Sequence, residues 1–451
     1  MVRSLALGSA LLPGILRQAL ADDGIGSVAG GDTLAPRQPQ HAARAKRVIF
    51  LYMTGGVSHM DSFDPKPRLH ADAGKSVDSK NPKSAKYLAS LWATGRGGRS
   101  GLEATDLFPH IRDCADDLCV VRSLRGDHGD HFQATLGVHT GSVTFARPSV
   151  GSWVSYGLGS ENRNLPSFVV LAPELPYAGT QVYSSDFLPG CHHGTRIQPA
   201  AEAVPNLARR APTDGIESLE LGLLERFNRK HSVARGADPA LEARIRNFET
   251  AAGMQREMPD VLDLSGESDA TLRLYGLERG STRGFAWQCL VARRLAERGV
   301  RFVELIDVGS HDNWDAHGDM KTHGPLAKNV DRPIAGLLKD LKSRGMLDDT
   351  LVVWTTEFGR SPWTDGVYGR GHYNRAYSSW LAGGGVRGGT VYGKTDDLGK
   401  EIVENPVHLH DFHATILHLL GFDHERLTFR NGGRDYRLTD VAGNVVKDLL
   451  A

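Results

Sequence analysis

Five short, largely apolar runs constrain the fold of this chain more than any other feature. The first, Val48 to Met53, is continuously apolar and leads into two glycines, which is typical of a strand buried on both faces. The other four are SFVVLA (Ser167 to Ala172), RFVELI (Arg301 to Ile306), LVVWTT (Leu351 to Thr356) and SSWLAG (Ser378 to Gly383). Runs of this kind predict a central sheet with strands from distant parts of the chain.

Helical patterns lie between these runs. The clearest are Gly284 to Gly299 and Lys328 to Gly345. Helices that alternate with strands predict an α/β fold with a mostly parallel central sheet. We expect one domain over residues 46–451, with a polar surface insertion at about 66–110 and a helical excursion at about 205–280, in which Glu217 to His231 is the clearest helix.

The N-terminus predicts export. An apolar run from Leu5 to Leu16 follows Arg3 and precedes a small-x-small site at Ala19 to Ala21, as in a signal segment over residues 1–21. An ordinary N-terminal helix is the alternative. Residues 22–45 are rich in Gly, Ala, Pro and Gln and predict a linker. We expect a periplasmic or extracellular protein without a transmembrane segment, because no other apolar run is long enough to span a bilayer.

The charge balance excludes one class of partner. The 53 Lys and Arg residues equal the 53 Asp and Glu residues, so the chain has no excess of basic charge to hold nucleic acid. We therefore expect a small molecule or another exported protein as partner.

Carboxylates and imidazoles follow three of the predicted strands. Ser58, His59 and Asp61 follow the first run, and Asp315 with His317 follow the third. Glu357 follows the fourth run, with His372 soon after it. Ligands of open α/β sheets bind at the carboxyl ends of strands, so these side chains predict a site at one sheet edge. Mixed Asp, Glu and His donors suit zinc or manganese.

Six motifs carry a resemblance to a known family. They are VIFLYMTGGVSHMDSFDPKP, VVRSLRGDHGDHFQATLGVHTG, GSWVSYGLGSENRNLPSFVVL, DNWDAHGD, LVVWTTEFGRSP and HLHDFHATILHLLG. In this order they resemble a family of exported bacterial proteins of unknown function, filed as sulfatase-like within the alkaline phosphatase superfamily. The resemblance runs from about Lys46 to the C-terminus. It implies an alkaline-phosphatase-like α/β domain with helices on both faces of the sheet.

The resemblance also implies site residues. The superfamily's nucleophile heads a helix that ends in Thr-Gly, which matches Thr140 and Gly141 and puts His131 at the nucleophile position. His372 matches a late histidine ligand, and Asp315 with His317 resembles an Asp-His element. The family's usual serine, threonine or cysteine is missing from the nucleophile position.

Two functional hypotheses follow. The first is an exported hydrolase of sulfate or phosphate esters, including glycan esters, with one or two divalent ions of the zinc, manganese or calcium type. Its metal ligands would be Asp61, Asp315, His317, Glu357 and His372. Its catalytic residues would be His131, His128 and Arg360, and its substrate-binding residues Ser58, His59 and Arg370. The second hypothesis is a non-catalytic relative that binds a glycan or an exported partner protein.

Overall fold

The computed structural model describes residues 33–78, 80–81, 83–200, 202–209, 213–236 and 238–451. The predicted signal segment, residues 1–21, lies outside the described residues, as does the first part of the predicted linker. Residues 33–45 of that linker lie against the domain. The side chain of Leu34 is buried, and the Arg37 amide donates to the Leu158 carbonyl at 2.9 Å.

Nine strands within the described part of the chain form the central sheet. They are β1 (Arg47–Tyr52), β4 (Leu118–Arg125), β5 (Phe168–Leu171), β6 (Thr195–Ile197), β7 (Phe302–Ile306), β8 (Thr350–Thr355), β11 (Tyr377–Ala382), β12 (Thr390–Tyr392) and β15 (Val407–His408). The strand order is β12-β4-β11-β8-β1-β7-β5-β6, and β15 also pairs with β4. Only β11 runs antiparallel to its two neighbours, β4 and β8.

Eight other strands of the described residues form four small two-stranded sheets. They are β2 (Thr94–Gly97) with β3 (Leu102–Thr105), β9 (Gly359–Asp365) with β10 (Gly369–Tyr373), β13 (Lys394–Thr395) with β14 (Ile402–Glu404), and β16 (Phe429–Asn431) with β17 (Arg434–Tyr436). The hairpin of β9 and β10 follows β8 directly and carries part of the candidate site.

Ten described α-helices surround the sheet. They are α1 (Pro67–Asp72), α2 (Pro109–Arg112), α3 (His131–Thr140), α4 (Val150–Leu158), α5 (Asp214–Arg235), α6 (Pro239–Leu262), α7 (Asp269–Tyr275), α8 (Phe285–Glu297), α9 (His323–Ser343) and α10 (Leu409–Leu419). Short 3-10 helices cover Ala115–Asp117, Gly179–Tyr183, Gly190–His192, Met320–Thr322, Leu347–Asp349 and Lys447–Leu449. Among the described residues, no helix has both the length and the apolar character to cross a membrane.

The sheet separates two hydrophobic cores. Ile49 and Leu51 of β1 face one core, which α8 and α9 cover. Val48 and Phe50 face the other core, which α3, α4 and α10 cover. This alternation follows from the two-residue period of a strand, and it explains why the strands are apolar throughout. The predicted α/β fold, with a mostly parallel sheet between two helical layers, is confirmed.

Two segments that the sequence placed outside the sheet both contribute to the first core. The segment at 66–110 was expected at the surface, but Leu102, Leu107 and Phe108 belong to the first core, so its second half is not a surface insertion. The segment at 205–280 is largely helical, and its α6 and α7 pack against that same core through Met258 and Tyr275.

Two glycines shape the turn after β1. Gly55 and Gly56 have φ values of +112° and +81°, which favour glycine strongly. A Cβ atom on Gly55 would lie 2.7 Å from Asn313 Oδ1 and from the amides of Trp314 and Asp315. The turn therefore packs directly against the loop that follows β7.

We expect Gly55→Ala to lower the free energy of unfolding by roughly 2–6 kcal/mol, because backbone strain and overpacking each cost about 1–3 kcal/mol. Gly74→Ala is the matched control, since Gly74 has a φ of +77° but nothing within 4 Å of the added Cβ. It should lose only the strain contribution. Urea unfolding of both variants measures the difference, and equal losses would contradict the close approach.

Candidate metal centre

Four side chains converge at the carboxyl edge of the sheet. His131 begins α3, Asp315 and His317 lie in the loop after β7, and His372 lies on β10. One donor atom each from His131, Asp315 and His372 lies within 4.8 Å of the others. His317 Nε2 is 3.0 Å from Asp315 Oδ1 and 2.8 Å from His372 Nε2. The predicted residues Asp315, His317, His372 and His131 are therefore neighbours.

Each of the three imidazoles is held through its Nδ1 atom. His131 Nδ1 lies 2.7 Å from Glu357 Oε1, His372 Nδ1 lies 2.8 Å from the Gly129 carbonyl, and His317 Nδ1 lies 2.6 Å from Asp365 Oδ2. Carbonyl and carboxylate oxygens accept hydrogen bonds, so Nδ1 is the donor in each ring. A neutral imidazole with its proton on Nδ1 offers a lone pair on Nε2.

In neutral rings the three Nε2 atoms therefore face Asp315 as acceptors. His131 Nε2 lies 3.2 Å from Asp315 Oδ2 and has no hydrogen-bond partner, although it is buried. His372 Nε2 lies 3.3 Å from Asp315 Oδ1. Lone pairs this close repel one another unless a proton or a cation lies between them. Histidines whose second nitrogen is fixed by an oxygen acceptor are typical of metal ligands.

Asp315 is held in its charged form. Burial opposes ionisation of Asp315, but the adjoining His131 and His372 rings and the charge of Arg360 hold its pKa well below its usual value. Arg360 Nη2 donates to Asp315 Oδ1 at 2.6 Å. This carboxylate is an anionic donor at any pH near neutrality.

Glu357 lies behind His131 and does not face the cluster. Its Oε1 accepts from His131 and, at 2.8 Å, from the Gly55 amide. Its Oε2 accepts from the Tyr52 and Thr356 hydroxyls at 3.1 and 3.0 Å. The sequence predicted Glu357 as a metal ligand. Both of its oxygens are engaged in these hydrogen bonds, so the geometry instead makes Glu357 the residue that orients His131.

The guanidinium groups of Arg360 and Arg370 are also engaged. Arg360 is fully buried and donates to the carbonyls of Gly55, Gly56 and Arg370 as well as to Asp315. Arg370 is equally buried and donates to Asp61 at 2.8 Å and to two carbonyls. The expected role of either arginine in holding a substrate anion does not fit these contacts.

Ser58, His59 and Asp61 form contacts outside the cluster. The Ser58 hydroxyl donates to Asp61 Oδ2 at 2.5 Å, the same oxygen that accepts from Arg370. His59 Nε2 lies 2.9 Å from the Gly399 carbonyl, and burial lowers its pKa. These residues were expected to bind metal or substrate. They instead anchor the loop after β1, because the turn at Gly55 and Gly56 directs their side chains into the protein.

The predicted catalytic residue His128 and the histidines of α10 also lie outside the cluster. His128 Nδ1 accepts from the Asp130 amide at 3.1 Å, so it supports the start of α3. His410 and His413 lie on α10, where their Nε2 atoms face the carbonyls of Gly141 and Val138. Burial lowers the pKa of His413 to about 3, which keeps this ring neutral.

Sequence reasoning missed Tyr177 and Asp365. The Tyr177 ring stacks on His131 with centroids 4.1 Å apart, and its hydroxyl oxygen accepts from Asn313 at 3.0 Å. Burial raises the pKa of Tyr177, so its hydroxyl keeps its proton at neutral pH. Tyr177 follows β5, so its position after a strand of the central sheet was a signal in the sequence that could have identified it. Asp365 ends β9 and carried no comparable signal.

The family to which this chain belongs follows from a comparison with protein-family models. Residues 45–450 match the family described as "Protein of unknown function (DUF1501)". The chain belongs to this family. The match covers nearly the whole described chain and confirms the family of unknown function that the motifs indicated. No curated protein matches the chain.

Several solved structures share a distant likeness. A lipoteichoic acid synthase of Listeria monocytogenes is 11% identical, with 94% of this chain and 80% of that chain covered and a TM-score of 0.37. A lipooligosaccharide phosphoethanolamine transferase A soluble domain of Neisseria meningitidis is 10% identical, with 86% and 92% covered and a TM-score of 0.38. A Pseudoalteromonas sulfatase is 12% identical, with 84% and 68% covered and a TM-score of 0.36. Likeness at this level says nothing about chemistry at the cluster.

We expect Asp365→Ala to weaken divalent-ion binding by roughly 10- to 100-fold, because loss of an oxygen that orients a ligating histidine typically has this effect. Isothermal titration with Zn²⁺ and Mn²⁺ measures the affinity. Asp348→Ala is the control, since Asp348 is exposed and lies before β8, at the opposite edge of the sheet. Equal affinities of the two variants would remove Asp365 from the site.

Proposed function

We propose that this protein is an exported metal-dependent hydrolase of phosphate or sulfate esters whose single metal site consists of His131, Asp315, His317 and His372. The observation that carries the proposal is the convergence of three Nε2 atoms, which are acceptors in neutral imidazoles with the proton on Nδ1, on the one carboxylate of Asp315. Such a surplus of acceptors is unfavourable without a cation and favourable with one. This arrangement distinguishes a ligand set from a group of hydrogen-bonded surface histidines.

The donor set favours zinc or manganese over calcium. Three imidazole nitrogens and one carboxylate oxygen suit a borderline ion, whereas calcium is bound through oxygen atoms. The donors of His131, Asp315 and His372 lie within 4.8 Å of one another, and His317 adjoins two of them, so we propose one ion where the sequence allowed one or two. A divalent ion held there would polarise an ester oxygen and favour the charge that develops during hydrolysis.

The electrostatics favour an anionic substrate. Arg360 already compensates the charge of Asp315 at 2.6 Å, so the positive charge of a bound ion is not cancelled by its own carboxylate ligand. The cluster is also accessible, since the side chain of His317 is 43% exposed and that of His372 is partly exposed. A sulfate or phosphate group could approach from this side.

His131 serves better as a ligand than as a nucleophile. Its Nδ1 is bound to Glu357, and its Nε2 faces Asp315 inside the cluster. Tyr177 is the better placed proton donor, because Asn313 donates to its oxygen and leaves its own O–H free to point elsewhere. We propose that this hydroxyl donates to an oxygen of the substrate beside His131.

One observation favours the non-catalytic alternative. Within the described part of the chain, no hydroxyl or thiol of Ser, Thr or Cys is bonded to the four cluster residues. A protein with this cluster could bind an anionic glycan through the ion without cleaving it. Metal content and ester turnover, measured on the same preparation, separate the two functions.

We expect protein purified without chelator to contain about one equivalent of zinc or manganese by elemental analysis, in line with a single four-donor site. Asp315→Ala with His317→Ala should lose this metal, and so should His317→Ala with His372→Ala, which leaves the Arg360 ion pair intact.

The matched control is Asp127→Ala with His408→Ala. It removes another Asp-His pair, with 2.8 Å between Asp127 Oδ1 and His408 Nε2, outside the cluster. This variant should keep its metal. A native protein that stays metal-free after incubation with both ions would rule out the hydrolase. A metal-loaded protein that does not turn over phosphate or sulfate esters would exclude the hydrolase and favour the non-catalytic binding function.

We expect Tyr177→Phe to keep its metal but to lower turnover of 4-nitrophenyl phosphate or sulfate by roughly 10²-fold, since a positioned proton donor contributes at least about that much. The control is Tyr156→Phe, because Tyr156 donates to the Thr428 carbonyl at 3.3 Å away from the cluster. Unchanged turnover in Tyr177→Phe would exclude its hydroxyl from the reaction.

A further inference from the structure

Helix α5 exposes its apolar side chains to solvent. Ile216, Leu219, Leu223 and Phe227 recur at helical spacing and form one stripe along the helix, which we call the α5 stripe. Leu219 is 76% exposed and Phe227 is 60% exposed. Leu224 and Val233 extend the same exposed surface. Six of the 15 exposed large apolar side chains of the described residues thus lie on one helix.

The side of α5 that faces the protein is mostly polar. Glu217 is buried and pairs with Arg209, and Ser232 donates to Glu242 of α6. Leu221 and Asn228 are only partly buried on this side. A surface helix normally buries its apolar stripe and exposes its polar face. The reversed arrangement of α5 indicates that a second surface covers the stripe.

The distribution of charges along α5 indicates what kind of surface covers the α5 stripe. Every Asp and Glu of the helix lies in residues 214–225, and every Lys and Arg lies in residues 226–235. The helix dipole explains charges in the first and last turns, but not the change from Glu225 to Arg226 at mid-helix. A second α5 laid antiparallel would bring each acidic half beside a basic half. A parallel pair would bring like charges together.

We propose that the α5 stripe is the contact of a twofold-symmetric homodimer in which two α5 helices pack antiparallel. Such a contact is self-complementary, as a twofold axis requires. The 22-residue helix is about 33 Å long, so the pair could bury apolar side chains from Ile216 to Val233 on both copies. The proposal is independent of hydrolysis, because no cluster residue takes part.

The first test is the mass of the full-length protein in solution. Sedimentation velocity across a concentration series should show a dimer for the native chain. Leu219→Glu with Leu223→Glu should raise the dimer Kd at least about tenfold, because buried charge replaces central apolar contacts. Val403→Glu with Val441→Glu is the control, since both valines are exposed elsewhere, and it should remain dimeric. Circular dichroism and metal content should be equal in all three proteins.

The second test determines the relative orientation of the two α5 helices. Leu223→Cys lies near the middle of the stripe and should cross-link to itself with a short bis-maleimide, whereas Ile216→Cys and Val233→Cys should cross-link only when mixed. The four native cysteines are buried and provide the background. A native chain that stays monomeric at every concentration overturns the proposal. A dimer unaffected by the two glutamates overturns it as well, and self-cross-linking of Ile216→Cys overturns the antiparallel arrangement.

Discussion

The buried guanidinium of Arg360 connects the elements that form the site. It donates to the carbonyls of Gly55 and Gly56 after β1, to the Arg370 carbonyl on β10 and to Asp315 after β7. Removing a charge from water is costly unless it is paired and its donors are satisfied. Asp315 and the three carbonyls meet that requirement. The same ion pair thus fixes three loops relative to one another and fixes the carboxylate on which the imidazoles converge.

The sequence predicted the fold well because its signal is local. Continuous apolar runs identify strands buried on both faces, and all five predicted runs became strands of the central sheet. The strand Leu118–Arg125 was missed, although it pairs with β11, because arginines at positions 122 and 125 interrupt its apolar pattern. Helix positions followed from periodicity in the same way, with Gly284 to Gly299 predicted and Phe285–Glu297 observed.

The site was only partly predictable, because side-chain direction after a strand depends on turn geometry. Asp61 and Asp315 both follow strands that end at the same edge, yet the loop after β1 directs Asp61 towards Arg370 and away from the cluster. On β10, Arg370 and His372 are two residues apart and would share a face in a regular strand. A bulge between them changes the register, so the first points inward and the second reaches Asp315. Sequence spacing does not specify a bulge.

Two features of the molecule contradict the usual rules of burial and pairing. At the cluster, three imidazole Nε2 atoms converge on one carboxylate and the buried His131 Nε2 has no hydrogen-bond partner, and on α5 the apolar side chains face solvent. Elsewhere local preference and packing agree, as in β1, whose alternate residues fill two cores. In a protein that is consistent at most levels, local conflicts are expected where the chain meets something outside itself. A surplus of lone pairs is stabilised by a cation. An exposed apolar stripe on a helix with one acidic and one basic half is stabilised by a second apolar helix. The two features therefore imply different partners and can be tested separately.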